Sequence, residues 1–206
     1  MNPLFTIGHS NHEMPAFLKL LHLHGIEAVA DVRSKPFSAR FPQFNRPALE
    51  LSLKEERIHY VFLGLELGAR RDEPCCYVDG QARYDRVAET SAFASGLDRL
   101  MTGLSKYRIT LLCAEKDPLT CHRTILVARH LRGKGFPIQH ILADGSLESQ
   151  EEAESRLLKL LGMSQPSLFA THDQIVERAY DEQGLRIAFR RTASHSDDEA
   201  HAAASS

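Results

Sequence analysis

The feature that most restricts the possible folds is a strand–loop–helix–strand pattern in the second half of the chain. Residues 109–113 are apolar and β-compatible, which predicts a buried strand. Asp117 and Pro118 can start the following helix, because an Asp side chain accepts a free backbone N–H and proline lacks one. That helix runs to Gly133, and residues 136–142 form the next predicted strand. A crossover of this length favours parallel strands.

Three predicted strands, at residues 4–7, 26–32 and 109–113, each end in polar, reactive side chains. These side chains are His9, Ser10, Asp31, Arg33, Cys113 and Glu115. The carboxyl ends of parallel strands meet at one edge of a sheet, where open α/β folds bind ligands. We therefore predict an α/β fold of three layers, with a mostly parallel sheet, helices on both faces and one convergent site.

Cys121, His122 and Arg123 stand together where the next helix begins. A helix N-terminus favours anions and lowers the pKa of a nearby thiol. Arginine side chains grip phosphate or carboxylate in a bidentate manner, so we expect Arg33 and Arg123 to bind an anionic substrate together with Ser10.

These residues predict an enzyme, either a hydrolase or a transferase, that acts on a phosphate-bearing substrate such as a nucleotide or a nucleic-acid end. Either cysteine of the set, Cys113 or Cys121, would be the nucleophile. The acid–base group would be His9 or His122, oriented by Asp31 or Glu115. The alternative for both cysteines is that they are small buried hydrophobic residues.

A metal site is a further alternative, although no cofactor can be identified from the sequence. Zinc needs three or four converging ligands, and five candidates are present: His9, Cys113, Glu115, Cys121 and His122. If Cys121 and His122 both lie on a helix, they point about a third of a turn apart. Joint ligation would then be awkward, so the metal site ranks below the enzyme.

The composition limits the other classes of function. The length of 206 residues suits one domain with appendages, and the apolar fraction of 43% is enough for a core. The net charge of −2 predicts little direct affinity for DNA. No apolar run approaches the roughly 20 residues of a membrane span, and the four cysteines lack the spacing of a disulfide framework. We therefore expect a cytoplasmic protein without a membrane partner.

Several segments admit two interpretations. The loop at residues 34–44 alternates basic and aromatic residues, and it either covers a ligand or packs on the surface. Arg70 and Arg71 form either an anion clamp or a solvated edge, and His140 is interpreted as a core histidine. Residues 147–161 predict one amphipathic helix. The predicted division is an α/β domain at 1–162, an extension at 163–191 and a disordered tail at 192–206.

The motifs at these strand ends resemble a known family. They read Thr6-Ile7-Gly8-His9-Ser10-Asn11, Asp31-Val32-Arg33, Leu112-Cys113-Ala114-Glu115 and Cys121-His122-Arg123. In this order they resemble the bacterial and archaeal family known as domain of unknown function 488, over about residues 4–145. The resemblance implies an α/β fold and supplies no established activity. The arrangement is also loosely similar to rhodaneses and cysteine phosphatases, but the segment from Cys113 to Arg123 is longer and lacks their glycines.

A second resemblance lies beyond the predicted domain. Gln165-Pro166-Ser167-Leu168-Phe169 is similar to the short peptide by which bacterial DNA polymerases and repair proteins dock on the sliding clamp. The resemblance implies that Gln165, Leu168 and Phe169 bind that partner, as part of a non-catalytic role in DNA maintenance. The alternative is that Leu168 and Phe169 pack the extension onto the core.

Overall fold

The centre of the fold is a six-stranded sheet in the order β3-β2-β6-β1-β7-β8, as seen in a computed structural model that describes residues 2–165 and 169–191. Five of its strands are parallel, and β8 pairs antiparallel with β7 at the edge. A small antiparallel hairpin is formed by β4 and β5. In chain order the strands are β1 (Leu4–Gly8), β2 (Ala28–Asp31), β3 (His59–Phe62), β4 (Tyr77–Val78), β5 (Gln81–Ala82), β6 (Ile109–Cys113), β7 (Ile138–Ile141) and β8 (Leu147–Ser149).

Helices cover both faces of the sheet, with α1 and α2 on one side and α5 and α6 on the other. The helices are α1 (Met14–Leu23), α2 (Arg46–Glu55), α3 (Gly64–Leu67), α4 (Tyr84–Ala88), α5 (Ser91–Leu104), α6 (Arg129–Arg132), α7 (Gln150–Leu160) and α8 (His172–Ile187). A π-helical segment, Arg123–Ala128, leads directly into α6. None of the helices in the described ranges is long and apolar enough to cross a membrane. The predicted three-layer α/β class is confirmed.

Strand alternation divides the core between the two faces. On β6, Leu111 and Cys113 pack toward α5, whereas Leu112 packs toward α1 and α2. On β1, Leu4 lies on the α5 side, and Phe5 lies on the opposite side. Every residue of β6 is buried, as expected for a strand in the middle of a parallel sheet.

The structure corrects the predicted helix at residues 147–161. Leu147–Ser149 forms β8, and α7 begins only after Ser149. The physical reason is a capping box: the Ser149 side chain accepts from Glu152 N, and the Glu152 side chain accepts from Ser149 N. The helix therefore starts where its free N–H groups find partners.

The segment after residue 162 contributes a long helix, α8, to the core. The helix begins at a second capping box formed by Thr171 and Gln174. Its Val176 and Tyr180 are buried in a cluster with Leu119, next to the candidate site. The tail predicted at 192–206 lies outside the described residues.

Candidate functional site

The predicted convergence of three strand ends is confirmed by the order of the sheet. Strands β2, β6 and β1 are neighbours and parallel, and their ends are level because Gly8 pairs with Cys113 and Asp31 with Leu112. The pairing continues past the strands, where His9 N donates to Cys113 O at 2.9 Å. The polar residues that follow these strands therefore meet at one edge of the sheet.

Gly8 allows the loop after β6 to cross closely over β1. A Cβ atom at this position would lie 1.8 Å from the carbonyl oxygen of Glu115 and 3.2 Å from Nη1 of Arg123. No side chain can occupy that space, so the close approach requires glycine. The result is that Glu115 lies above the end of β1, beside the residues that follow it.

A cleft of about 980 Å³ opens at this edge of the sheet. Five of its lining side chains are cationic, namely Arg33, Lys35, Arg40, Arg70 and Lys116. Its aromatic lining consists of Phe37, Phe41, Tyr84 and Phe189, besides His9 and His122. The one carboxylate among the described lining residues is Glu115. The lining of the cleft is therefore predominantly cationic and aromatic.

His9 is held as a neutral imidazole at the wall of the cleft. Its ring stacks on Phe44 with centroids 4.3 Å apart, and its Nδ1–H donates to the carbonyl of Ser10 at 3.0 Å. Burial, followed by the charge of Arg33, lowers the pKa of His9 to about 4. The lone pair therefore sits on Nε2 near neutral pH. Ser10 adopts a φ of 48°, a left-handed conformation that is uncommon outside glycine and concentrates at functional sites.

Arg33 is fixed in place by Asp31. Its Nε and Nη2 donate to the two carboxylate oxygens of Asp31 at 2.9 and 2.6 Å, and Tyr60 Oη donates to the same carboxylate at 2.9 Å. Among the residues that the structure describes, Nη1 of Arg33 has no hydrogen-bond acceptor. Because Arg33 lines the cleft, that group is available to an anion. Asp31 itself is fully buried and acts through Arg33.

Cys113 and His122 form a pair at the floor of the cleft. Cys113 Sγ lies 3.6 Å from His122 Nδ1, and His122 Nε2 donates to the carbonyl of Val32 at 2.9 Å. Since Nε2 carries the proton, the lone pair of Nδ1 faces the sulfur. Burial raises the pKa of the Cys113 thiol well above its ordinary value.

Cys121 lies behind this pair and is hydrogen-bonded to Glu115. Its Sγ donates to Glu115 Oε2 at 3.0 Å and accepts from Arg123 N at 3.4 Å. Burial raises the thiol pKa, but hydrogen bonds with Cys113 and His122 and the charge of Arg123 outweigh it and bring the pKa well below its ordinary value. Burial and the charge of Cys121 raise the pKa of Glu115.

Arg123 takes a different position from the one expected of a residue that binds an anion. It is fully buried, and its Nη1 and Nη2 donate to the carbonyls of Glu115 and Lys116 at 2.7 and 3.3 Å. Its Nε donates to Thr6 Oγ1 at 3.4 Å. A buried guanidinium must satisfy its donors within the protein, and the loop carbonyls do so here. Arg123 therefore holds the loop above Gly8 and does not line the cleft.

Further lining residues lie outside the strand-end motifs, and two of them, Ile187 and Phe189, were not singled out from the sequence. Arg70 reaches the cleft, whereas the neighbouring Arg71 is buried and bonds to backbone carbonyls and to Glu73. Ile187 and Phe189 lie at the C-terminal end of α8 and just beyond it. The capping box at the start of α8 is the sequence signal that could have predicted this helix.

His140 is buried and hydrogen-bonded, which confirms its interpretation as a core histidine. Of the clamp-like peptide the structure describes Gln165 and Phe169, and neither of them lines the cleft. Gln165 is exposed, Phe169 is 96% exposed, and Leu168 lies outside the described residues.

Comparison with known proteins identifies a family for this chain. The model of the family described as Domain of unknown function DUF488 matches residues 13–130, which include strand ends β2 and β6 and the Cys121-His122-Arg123 motif. No curated protein and no solved structure matches the chain significantly.

Proposed function

Because this chain belongs to the family described as Domain of unknown function DUF488, whose description assigns no activity, we propose a function from the cleft itself. The protein is an enzyme of the hydrolase or transferase type that acts on a phosphate-bearing, nucleotide-like substrate. The substrate binds in the cationic cleft at the strand ends, at a site built from cysteine, histidine and arginine side chains.

The observation that carries this proposal is the unpaired positive charge of the cleft. In the described part of the chain, four of its five cations form no ion pair with a carboxylate: Lys35, Arg40, Arg70 and Lys116. The fifth, Arg33, keeps Nη1 available. Cations that line one concave surface without acidic partners favour a polyanion such as a phosphate ester.

The aromatic side chains favour a nucleotide over a simple phosphate. Phe37 is 74% exposed at the cleft, and Phe189 lies beneath the guanidinium of Arg70 at 4.5 Å from its ring centroid. Exposed aromatic rings and arginine planes provide stacking surfaces for a base, and such stacking is worth about 1–3 kcal/mol per base. Phosphate and base would thus be recognised by adjacent parts of the same cleft.

His9 supplies the proton transfer. Its neutral Nε2 can accept a proton from an attacking water or hydroxyl group, as a general base must. Arg33 and the cations around it would stabilise the negative charge that develops on the phosphate oxygens. The role of Asp31 is to position Arg33, since its carboxylate is fully used by Arg33 and Tyr60.

Binding of ADP, measured by isothermal titration calorimetry, tests the cleft. Loss of a hydrogen bond to a charged group costs about 1.5–3 kcal/mol, so Arg70→Ala should weaken ADP binding by about tenfold or more. Arg178→Ala removes an exposed arginine from α8 and serves as the matched control, with unchanged affinity expected. Absence of ADP binding to the wild type, or equal weakening by both variants, would contradict the proposal.

Turnover tests the catalytic part. Phosphate release from a panel of nucleotides, followed by ³¹P NMR, should occur with the wild type and be lost in His9→Gln. The same variant should still bind ADP, because Arg33 and Arg70 remain. Equal turnover in His9→Gln and wild type would remove His9 from the mechanism.

A second candidate function is docking on the DNA sliding clamp through Gln165, Leu168 and Phe169, favoured by the exposure of the Phe169 ring. In a pulldown with purified clamp, Phe169→Ala should lose the interaction. Leu160→Ala, which also removes an exposed apolar side chain nearby, should retain it. Equal recovery of the clamp by both variants would refute the docking.

A further inference from the structure

The floor of the cleft contains a group of metal-ligand atoms that substrate binding does not explain. The sulfur atoms of Cys113 and Cys121 and a ring nitrogen of His122 all lie within 4.8 Å of one another. We propose that these three residues bind a thiophilic divalent metal ion of the zinc class. The metal site stands on the geometry of this cluster and not on the proposed substrate.

The spacing of the cluster suits tetrahedral zinc. Zinc–sulfur bonds of about 2.3 Å and zinc–nitrogen bonds of about 2.0–2.1 Å place the two ligand atoms of a tetrahedral site about 3.5 Å apart. The observed distance between Cys113 Sγ and His122 Nδ1 is 3.6 Å. A metal ion could therefore replace the thiol proton between these atoms without a large movement of either side chain.

The tautomer of His122 is set for ligation. Its Nε2–H donates to the carbonyl of Val32 at 2.9 Å, which leaves the lone pair of Nδ1 directed toward the sulfur atoms. Histidine ligands of metal ions commonly have their other ring nitrogen bound to a carbonyl or a carboxylate in this way. The backbone immediately after β2 thus orients the ligand from outside the cluster.

The backbone at Cys121 removes the objection that adjacent residues on a helix diverge. Cys121 is extended, with φ −135° and ψ 139°, and His122 is the first residue with helical angles, φ −63° and ψ −23°. The two side chains therefore do not follow helical spacing, and both reach the same point beside Cys113. The sequence-based argument against joint ligation assumed that Cys121 and His122 both lie on a helix started by Asp117 and Pro118.

The charges of the proposed ligands balance the charge of the metal ion. Each thiol releases one proton to solvent, and the two thiolates with the neutral imidazole hold the divalent ion as a neutral unit in a buried place. Glu115 Oε2, 3.0 Å from Cys121 Sγ, lies close enough to act as a fourth ligand or to orient a bound water. Because Cys113 and His122 line the cleft, an ion bound by them would lie next to the proposed substrate site.

Metal content and cobalt spectroscopy of the untagged full-length protein test this site. Purified without chelators, it should contain about one zinc ion per chain by mass spectrometry, as expected for one Cys2His site. Cobalt added to chelator-treated protein should produce a near-ultraviolet thiolate-to-cobalt absorption band and the visible bands of tetrahedral coordination. If the wild type contains no zinc and gives no cobalt spectrum, the proposal is wrong, whatever the outcome of ADP binding.

Variants locate the ion. Cys113→Ser and Cys121→Ser should each lower zinc affinity by at least about 100-fold in competition with a chromophoric chelator, since even second-shell changes cost about 10–100-fold. Cys75→Ser changes an exposed cysteine outside the cleft and should keep both stoichiometry and affinity. Circular dichroism checks that each variant is folded. Loss of the cobalt band in Cys75→Ser, with retention in folded Cys113→Ser, would place the ion elsewhere and refute the site.

Discussion

The burial of His140 makes a quantitative prediction about stability and pH. His140 Nε2 lies 3.1 Å from Gln150 Oε1, and its Nδ1 lies 2.8 Å from the hydroxyl of Thr6. An amide oxygen only accepts, so Nε2 carries the proton and Nδ1 accepts from Thr6. Burial, followed by the charge of Arg123, lowers the pKa of His140 to about 3.

The sign of the effect follows from the direction of that shift. The unfolded chain binds a proton at His140 with an ordinary pKa of about 6.5, whereas the folded protein excludes this proton until about pH 3. Stability from His140 is therefore complete above pH 6.5 and is lost as the pH falls from there toward 3. A pH of 5 lies about 1.5 units below the pKa of His140 in the unfolded chain. Protonation of the unfolded chain therefore lowers the unfolding free energy at pH 5 by about 2 kcal/mol.

Urea unfolding of the wild type and of His140→Gln at pH 7 and pH 5 measures this contribution. Glutamine can still accept from Thr6, but it does not titrate. Other titrating groups, such as His9 and Glu115, are present in both proteins and cancel in the comparison. Between the two pH values the wild type should lose about 2 kcal/mol more unfolding free energy than the variant. Parallel losses in both proteins would refute the reasoning.

Two further predictions concern the parts that hold the site together. Gly8→Ala should destabilise the protein by about 3 kcal/mol or more and lower its melting temperature, because the new Cβ would lie 1.8 Å from Glu115 O. Gly133→Ala is the control: its new Cβ would lie 3.6 Å from the closest neighbouring atom, so the melting temperature should change little. Equal melting temperatures would contradict the close crossing of the loop. Tyr60→Phe should cost about 1 kcal/mol in urea unfolding, since Asp31 loses one of its donors, and an unchanged midpoint would show that this bond contributes nothing.

The convergence of the strand ends could be predicted from sequence because it follows from parallel pairing alone. Alternating apolar runs and helical segments fix which ends share an edge, and His9, Arg33 and Cys113 are found there. The loop at residues 34–44 also contributes Lys35 and Arg40 to the lining of the cleft.

The direction of individual side chains could not be predicted in the same way. Arg123 points to loop carbonyls because Gly8 lets that loop approach, a contact between residues more than a hundred positions apart. Cys121 remains extended because a 3-10 turn, capped by the Asp117 side chain, precedes the helix. Phe189 reaches the cleft because α8 packs back onto the domain, which depends on long-range burial and not on local pattern.

The most direct test of the ligand cleft is an NMR titration of the His9 imidazole nitrogens with ADP. Without ADP, His9 should be neutral at pH 6, in accordance with a pKa of about 4. Binding of the anion beside Arg33 should shift its nitrogen resonances and raise that pKa, because a nearby negative charge favours the protonated ring. Saturation with ADP that leaves the His9 resonances unmoved would contradict the claim that these strand ends form the binding site.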